Sequence, residues 1–359
     1  MNTEQIQTEI RKQKVDGWLF YDFHNRDKMA YHILGLNPNM FVTRRWYYFI
    51  PAIGAPIKLV SAVEATKIDN LPGEKIIYRS WEQQHSSLRT MLKNSRRIAM
   101  QYSPNNNIPY ISVVDGGTIE LIRSFGVEIV SSANLVQIFE AVIDEEGYRS
   151  HLRAGQKVQQ IKNEAFALIS SRIKEQKSVT EFEVQQFIVK RFGEEGLTDD
   201  NEHPIVGVNE HPADPHFEPT AENAYTIKTG DKVLIDLWAR EQSERAIYYD
   251  ITWCGFVGQN PPAKYVEIFN IVVRARNAAR DFIRRKMADN QPCYGYQVDD
   301  ACRNVVKEAG YGDYFVHRTG HSIGHYVHGN GVNIDNLETK DERELVPGIC
   351  FSIEPGIYL

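Results

Sequence analysis

The chain has 359 residues, 42% of them apolar and 25% charged, and a formal net charge of -6. This length suits about two domains, and the apolar share is that of a globular protein with a real core. So mild a charge gives no electrostatic case for nucleic acid or an anionic membrane as partner. The N-terminal stretch "MNTEQIQTEIRKQKVDGW" lacks the apolar centre of a secretory signal, and no run approaches the roughly 18 apolar residues of a membrane span. Cys254, Cys293, Cys302 and Cys350 are scattered without C-x-x-C spacing, so reduced thiols in a cytoplasmic protein are expected.

Short apolar runs alternate with helical patterns over the first part of the chain. Strands are predicted at 16–23, at 45–60 as a hairpin broken at Gly54-Ala55-Pro56, and at 74–81, 96–103 and 127–132. Helical segments fall at 82–94 and 117–126. Such alternation predicts an α/β layer domain. It clusters no titratable groups, so a scaffold or oligomerisation role is expected of it.

From about Glu145 a long helical period begins. A second helix opens with the capping box Thr180-x-x-Glu183 and stops near Gly193 or Gly196. A similar pair of helices follows at 263–287 and 296–310. Val184 and Gly196 align with Val298 and Gly310 at an offset of 114, and "TGDKVLID" (229–236) aligns with "PGICFSIE" (347–354) at 118. Two copies are too few for a solenoid. They predict one pseudo-symmetric domain, each half contributing helices outside and strands inside.

Within the first half, "VLIDLWAREQSERAIYYDITWCGF" reads as two strands joined by a charged loop, with Asp236 in one and Asp250 in the other. Carboxylates in such apolar runs are costly to bury without a compensating positive charge. Arg240 or Arg245 could provide that charge, or either acid could cap a turn. The repeat adds a third carboxylate, Glu354 in "CFSIEPGIYL". Three converging acids call for a cation, and an oxygen-rich site with one imidazole suits Mn²⁺, Co²⁺ or Zn²⁺.

Four of the chain's eleven histidines lie in "HRTGHSIGHYVHG" (317–329). Its glycines and β-branched residues argue for a turn leading into a strand. On a strand, His317, His321 and His325 share one face, and His328 joins them only if the chain bends. Spacing alone does not say which of the four binds metal and which moves protons. The stretch "HPIVGVNEHPADPHFEP" (203–219) reads as a surface loop. Its His216 stands closest to a counterpart of the later cluster.

With Asp236, Asp250, "GHSIGHYVH" and "SIEPGIYL" together, the chain resembles the pita-bread metallopeptidases of the Xaa-Pro aminopeptidase and Xaa-Pro dipeptidase (prolidase) branch. The resemblance implies an α/β fold with a creatinase-like N-terminal domain over 1–145. A pita-bread α+β catalytic domain over 146–359 would follow, shortened at its C-terminal strands. It also implies two divalent metal ions, Mn²⁺ ahead of Co²⁺ or Zn²⁺. Asp236 would chelate one ion and Asp250 would bridge the two. His321 and Glu354 would bind the second. A hydroxide bridging the pair would attack the peptide carbonyl, with Glu354 helping to carry its proton. His317 and His328 would stand near the scissile bond as catalytic groups. His216 and His328 would contact the substrate, a proline-containing peptide, and His325 would be structural. A homodimer is implied.

Two departures stand out. The family's two aspartates are about eleven residues apart, against fourteen here, which a longer hairpin tip accommodates. The family's fifth ligand, a bridging Glu, follows E-P-G-x-Y, and the 118 offset from Asp250 places it at about position 368, beyond Leu359. Weak or absent metal loading and low activity are therefore expected of this chain. Two tightly held ions with full turnover would contradict that. Two alternatives remain. One is the same fold acting on a small molecule, by creatine-type C–N hydrolysis or sulfonium or betaine cleavage. The other is a catalytically inactive module that binds peptides or proteins.

Overall fold

Ile6 and Ile10 lie four residues apart, share one face of a helix, and are both buried. They belong to α1 (Thr3–Lys12), capped by the Asn2 side chain, a helix that the charge-rich N-terminus does not announce. The computed structural model describes residues 2–243 and 245–359. By its internal contacts the chain divides after Glu140, and Ala141–Leu359 forms the second unit.

In the first unit, β1 (Gly17–Asp22), α2 (Lys28–Leu34), β2 (Trp46–Pro51), β3 (Ile57–Ser61), β4 (Glu74–Tyr78), α3 (Trp81–Leu92), β5 (Arg97–Met100), α4 (Gly116–Arg123), β6 (Glu128–Ser131) and the short α5 (Ala133–Val136) follow α1. Six strands form one mixed sheet in the order β4-β3-β2-β1-β5-β6. "GWLFYD" in β1 is buried along its whole length, as a strand covered on both faces must be. Trp18 and Phe20 face one apolar cluster, Leu19 and Tyr21 the other. The α/β layer reading of this unit matches the sheet.

The second unit opens with α6 (Glu145–Lys174) and α7 (Glu181–Glu194), the latter with both halves of the Thr180–Glu183 capping box formed. There follow β7 (Leu197–Thr198), β8 (Ile205–Val208), β9 (Lys232–Glu241), β10 (Tyr249–Phe256), α8 (Ala263–Ala288), α9 (Gly295–Glu308), β11 (Ser322–Ile323) and β12 (Cys350–Phe351). β9 pairs antiparallel with β10 on one side and with β7 and β8 on the other. The internal repeat is visible in the backbone. α7 and α9 each run fourteen residues. The repeat glycines all take positive φ, +69° at Gly196 against +85° at Gly310, and +101° at Gly230 against +90° at Gly348. No helix among the described residues is long and apolar enough to cross a membrane.

Two segments differ from expectation. The 203–219 stretch is not loop throughout, because Ile205–Val208 pairs with Val233–Asp236 as β8. This four-residue apolar run is short enough to be hidden among Pro, Gly and Asn. The strand expected over 347–354 keeps a regular ladder only at Cys350 and Phe351. Beyond them the pairing continues as single hydrogen bonds, Ser352 N–H to His321 O at 2.9 Å and Glu354 N–H to Thr319 O at 2.8 Å.

Candidate metal centre

Alternation along β9 fixes where its acid points. Val233, Ile235, Leu237 and Ala239 are buried in the core that also holds residues of α6 and α7, so Asp236 belongs to the opposite face. Asp236 sits across from Thr252 and Asp250 across from Trp238. The two acids therefore share a face as diagonal neighbours on the hairpin. The Thr252 hydroxyl donates to Asp236 Oδ1 at 2.8 Å. Neither nearby arginine compensates them, since Arg240 pairs with Asp200 at 2.8 Å and Arg245 pairs with Asp144.

The β11–β12 joint supplies the other two groups. His321 Nε2 stands 3.3 Å from Asp250 Oδ2 and 3.2 Å from Glu354 Oε1. Its Nδ1 lies 3.1 Å from the Ser322 carbonyl, an orientation that directs Nε2 at the acids. Ser352 joins both partners, its Oγ accepting the His321 N–H at 3.0 Å and donating to Glu354 Oε1 at 2.7 Å. Close approach here requires glycine at 320, because a Cβ at that position would lie 2.0 Å from Ser352 O. Gly320→Ala is expected to destabilise the second unit by about 2–3 kcal/mol through this clash. Urea unfolding of the variant beside wild type tests this, and an unchanged midpoint would contradict it.

Ligand atoms of Asp250, His321 and Glu354 all lie within 4.8 Å of one another. Asp236 stands outside this trio but feels its charge. Burial, then Asp250 and Glu354, hold the Asp236 carboxyl well above the usual range. Burial likewise raises Asp250. Burial disfavours the charged form of His321, but the hydrogen bonds it donates to Asp250 and Glu354 outweigh this and lift the imidazole to about 10. Burial also works against ionised Glu354, and His321 overcomes it, bringing the carboxyl down to about 2. Three acids thus share one imidazolium, and two of them are forced toward the neutral form. A divalent cation relieves that crowding, and the set of carboxylate oxygens and one imidazole suits Mn²⁺, Co²⁺ or Zn²⁺. The residues fit a metal.

The remaining histidines separate. Gly324 and Tyr326 close a turn, and Gly329 N–H returns to Ser322 O at 2.7 Å. The chain therefore bends and folds His328 back onto His321, with ring centroids 4.4 Å apart. Burial first, then the charges of His321 and Arg318, push His328 down to about 4. His317 is kept neutral mainly by burial, with Nε2 2.7 Å from the Tyr358 hydroxyl and Nδ1 2.6 Å from the Arg318 carbonyl. His325 turns away toward the Ala246 carbonyl at 3.3 Å. His216 is exposed and near enough to His328 to contribute to its low pKa. Its loop is anchored by His211, which bonds the fully buried Glu181 at 2.8 Å and stacks on Phe217.

Several residues of the site escape a sequence reading. Thr252 becomes visible only once the hairpin register is known, and Tyr358 only once its hydroxyl is seen against His317. Ser352, two positions before Glu354 on the same strand face, carries a period-2 signal that could have found it.

This hairpin-and-joint arrangement has known relatives. The sequence profile of metallopeptidase family M24 matches residues 153–359, and the chain belongs to that family. A probable dipeptidase PepE of Mycobacterium tuberculosis is 36% identical over 154 residues, 43% of this chain and 37% of that protein. An Xaa-Pro dipeptidase of Lactobacillus delbrueckii subsp. lactis is 29% identical over 199 residues, 54% of this chain and 47% of that protein. The aligned region is thus under half the length of either relative. The crystal structure of dipeptidase PepE from Mycobacterium ulcerans superposes with a TM-score of 0.69 at 22% identity, covering 99% of this chain and 88% of that one. A dipeptidase from Pyrococcus horikoshii gives 0.62 at 24% identity, over 100% and 91%. The fold expected from the sequence, an α/β N-terminal part followed by a pita-bread part, is therefore shared over nearly the whole chain.

Proposed function

We propose that this chain hydrolyses the bond between an N-terminal residue and proline as a metal-dependent exopeptidase. The observation that carries the proposal is the convergence of Asp250, His321 and Glu354 within 4.8 Å beside Asp236. Family membership and the Xaa-Pro dipeptidase relative support the substrate class.

In this reading Asp236, Asp250, His321 and Glu354 hold two divalent ions, Mn²⁺ first among them. Such a pair, when bound, polarises the scissile carbonyl and acidifies water at neutral pH. The protein's own groups do the rest. Glu354, bonded by the Ser352 hydroxyl, accepts a proton from the attacking water. His328, neutral because it is buried, offers a ring N–H to the substrate carbonyl without adding charge. Glu354 returns the proton taken from water to the departing proline nitrogen, and His317, fixed in one orientation by the Tyr358 hydroxyl and the Arg318 carbonyl, lines the scissile bond beside it. His216 borders the substrate from its exposed loop. Proline has no amide N–H and a fixed φ, so a dedicated site for it makes chemical sense.

The test is an assay of the Mn²⁺-supplemented protein on Gly-Pro and Ala-Pro-Pro, beside Gly-Ala, creatine, and sulfonium and betaine compounds. Release of the N-terminal residue from the Xaa-Pro substrates alone is the expected outcome. Turnover of a small molecule with no peptide cleavage would replace this reading with the other chemistry of the fold.

A further inference from the structure

Behind the candidate centre lies a second set of charged groups that the proposed chemistry does not use. Asp299 and Arg303 stand one turn apart on α9, both buried, with Nε to Oδ2 and Nη2 to Oδ1 each at 3.0 Å. Asp299 does more than pair with arginine. It accepts the Thr319 N–H at 3.0 Å and the Thr319 hydroxyl at 2.6 Å on Oδ1, and the Asn336 N–H at 3.1 Å on Oδ2. Arg303 spends its other bonds on backbone carbonyls, Phe315 O and His317 O, each at 2.8 Å. Two side chains thus hold the run 315–319 from one side.

The gripped residue is the one that joins the two halves of the centre. Thr319 is fully buried, and its carbonyl accepts the Glu354 N–H at 2.8 Å. Two residues on, His321 presents its imidazole to Asp250 and Glu354. A chain of short bonds therefore runs from the Asp299 carboxylate through Thr319 to the backbone of Glu354. The Arg303 bond to the His317 carbonyl fixes the other histidine of the segment.

We propose that Asp299, with Arg303, is a positioning residue that sets where His321 and Glu354 stand relative to Asp250, acting through Thr319. The proposal rests on the metal-centre reading above. Stability alone does not explain the pair, because a buried ion pair gains little over apolar side chains of the same volume. What it provides is geometry. Both Asp299 oxygens and all three Arg303 nitrogens are engaged, which holds the His317–His321 segment in one arrangement. Outer partners of this kind govern how well metal ligands are aimed.

Thr319→Val removes the 2.6 Å hydroxyl bond while keeping the backbone N–H bond and nearly the same volume. Thr319→Ser restores the hydroxyl. Asp299→Asn removes the charge at constant shape. In the full chain, Mn²⁺ affinity is read by EPR titration and turnover on Gly-Pro, with circular dichroism confirming the fold. The Mn²⁺ dissociation constant is expected to rise about tenfold in Thr319→Val and about a hundredfold in Asp299→Asn. kcat should fall while KM stays within about twofold, and Thr319→Ser should return both to within about twofold of wild type. Should Asp299→Asn not fold, Thr319→Val decides. A folded variant with unchanged Mn²⁺ affinity and kcat overturns the proposal, as does a loss that Thr319→Ser does not repair. Wild-type protein that takes up no Mn²⁺ even at saturating concentrations of the ion, beyond the weak loading expected of it, overturns the metal reading and this one together. Wild-type protein that binds Mn²⁺ but cleaves no peptide removes only the substrate assignment, and the affinity series then decides the positioning role.

Discussion

Asp236→Asn is expected to make the metal-free protein more stable while sharply weakening its response to Mn²⁺ and abolishing the proposed activity on Gly-Pro. The position cannot escape its surroundings, because the buried residues on either side of it lock β9 in register. Its carboxyl is pushed up by burial and by Asp250 and Glu354, and the Thr252 hydroxyl and the charge of His321 offset them only in part. Asparagine keeps the shape and the acceptor for Thr252 and removes the repulsion, a gain of about 1–3 kcal/mol in the metal-free state. Wild-type protein should in turn gain about 2.7 kcal/mol from Mn²⁺ at a hundredfold its dissociation constant, and the variant clearly less at the same concentration, since it keeps only Asp250, His321 and Glu354. Losing several kcal/mol of Lewis-acid stabilisation corresponds to on the order of 10³ in rate. Thermal unfolding with and without Mn²⁺, beside a Gly-Pro assay, checks all three. A variant that melts below wild type without metal, yet shifts with Mn²⁺ as much as wild type, would show that Asp236 is not a crowded ligand.

The opposed signs in that prediction explain why the centre can be read from sequence at all. Acids placed in apolar strands break a local rule, and such violations concentrate where function outweighs stability. Asp236, Asp250 and Glu354 each stand out in this way, and the repeat adds that Asp236 and Glu354 occupy equivalent places after Gly230 and Gly348. The same local consistency made α7 legible through its capping box, and the hairpin of β2 and β3 through Gly54-Ala55-Pro56. What stayed hidden depends on contacts distant in sequence. Strand parity puts His328 on the far face from His321, and only the turn at Gly324 brings the two rings together. Asp299 and Arg303 have the i, i+4 spacing of an ordinary helix pair. That they hold Thr319 and His317 follows from the path of the loop after α9, which no periodicity encodes. Had α1 been weighed by its apolar spacing alone, Ile6 and Ile10 would have marked it; the charges around them obscured the pattern.

In the first unit a buried acid gives the second large effect, on stability rather than catalysis. Asp27 caps α2, its Oδ1 accepting the Ala30 N–H at 2.9 Å, while Oδ2 is buried without a hydrogen-bond partner. Burial, with the charges of Asp22 and Glu140 adding to it, raises its carboxyl from 3.8 to about 8, the cap bond opposing. The folded state therefore binds a proton that the unfolded chain has released between these two values, so stability falls as pH rises from about 4 to about 8 and levels off beyond. Asp27→Asn keeps the cap oxygen, since asparagine serves equally well at an N-cap, and carries no charge to suppress. At pH 8 the variant should exceed wild type by about 2–4 kcal/mol, and at pH 4 the difference should be small. Urea unfolding of both proteins at the two pH values, followed by circular dichroism, separates this from a packing effect, which would shift the variant equally at both. A variant less stable than wild type at pH 8 would mean that the Asp27 carboxylate is ionised in the fold and stabilised by a partner of its own.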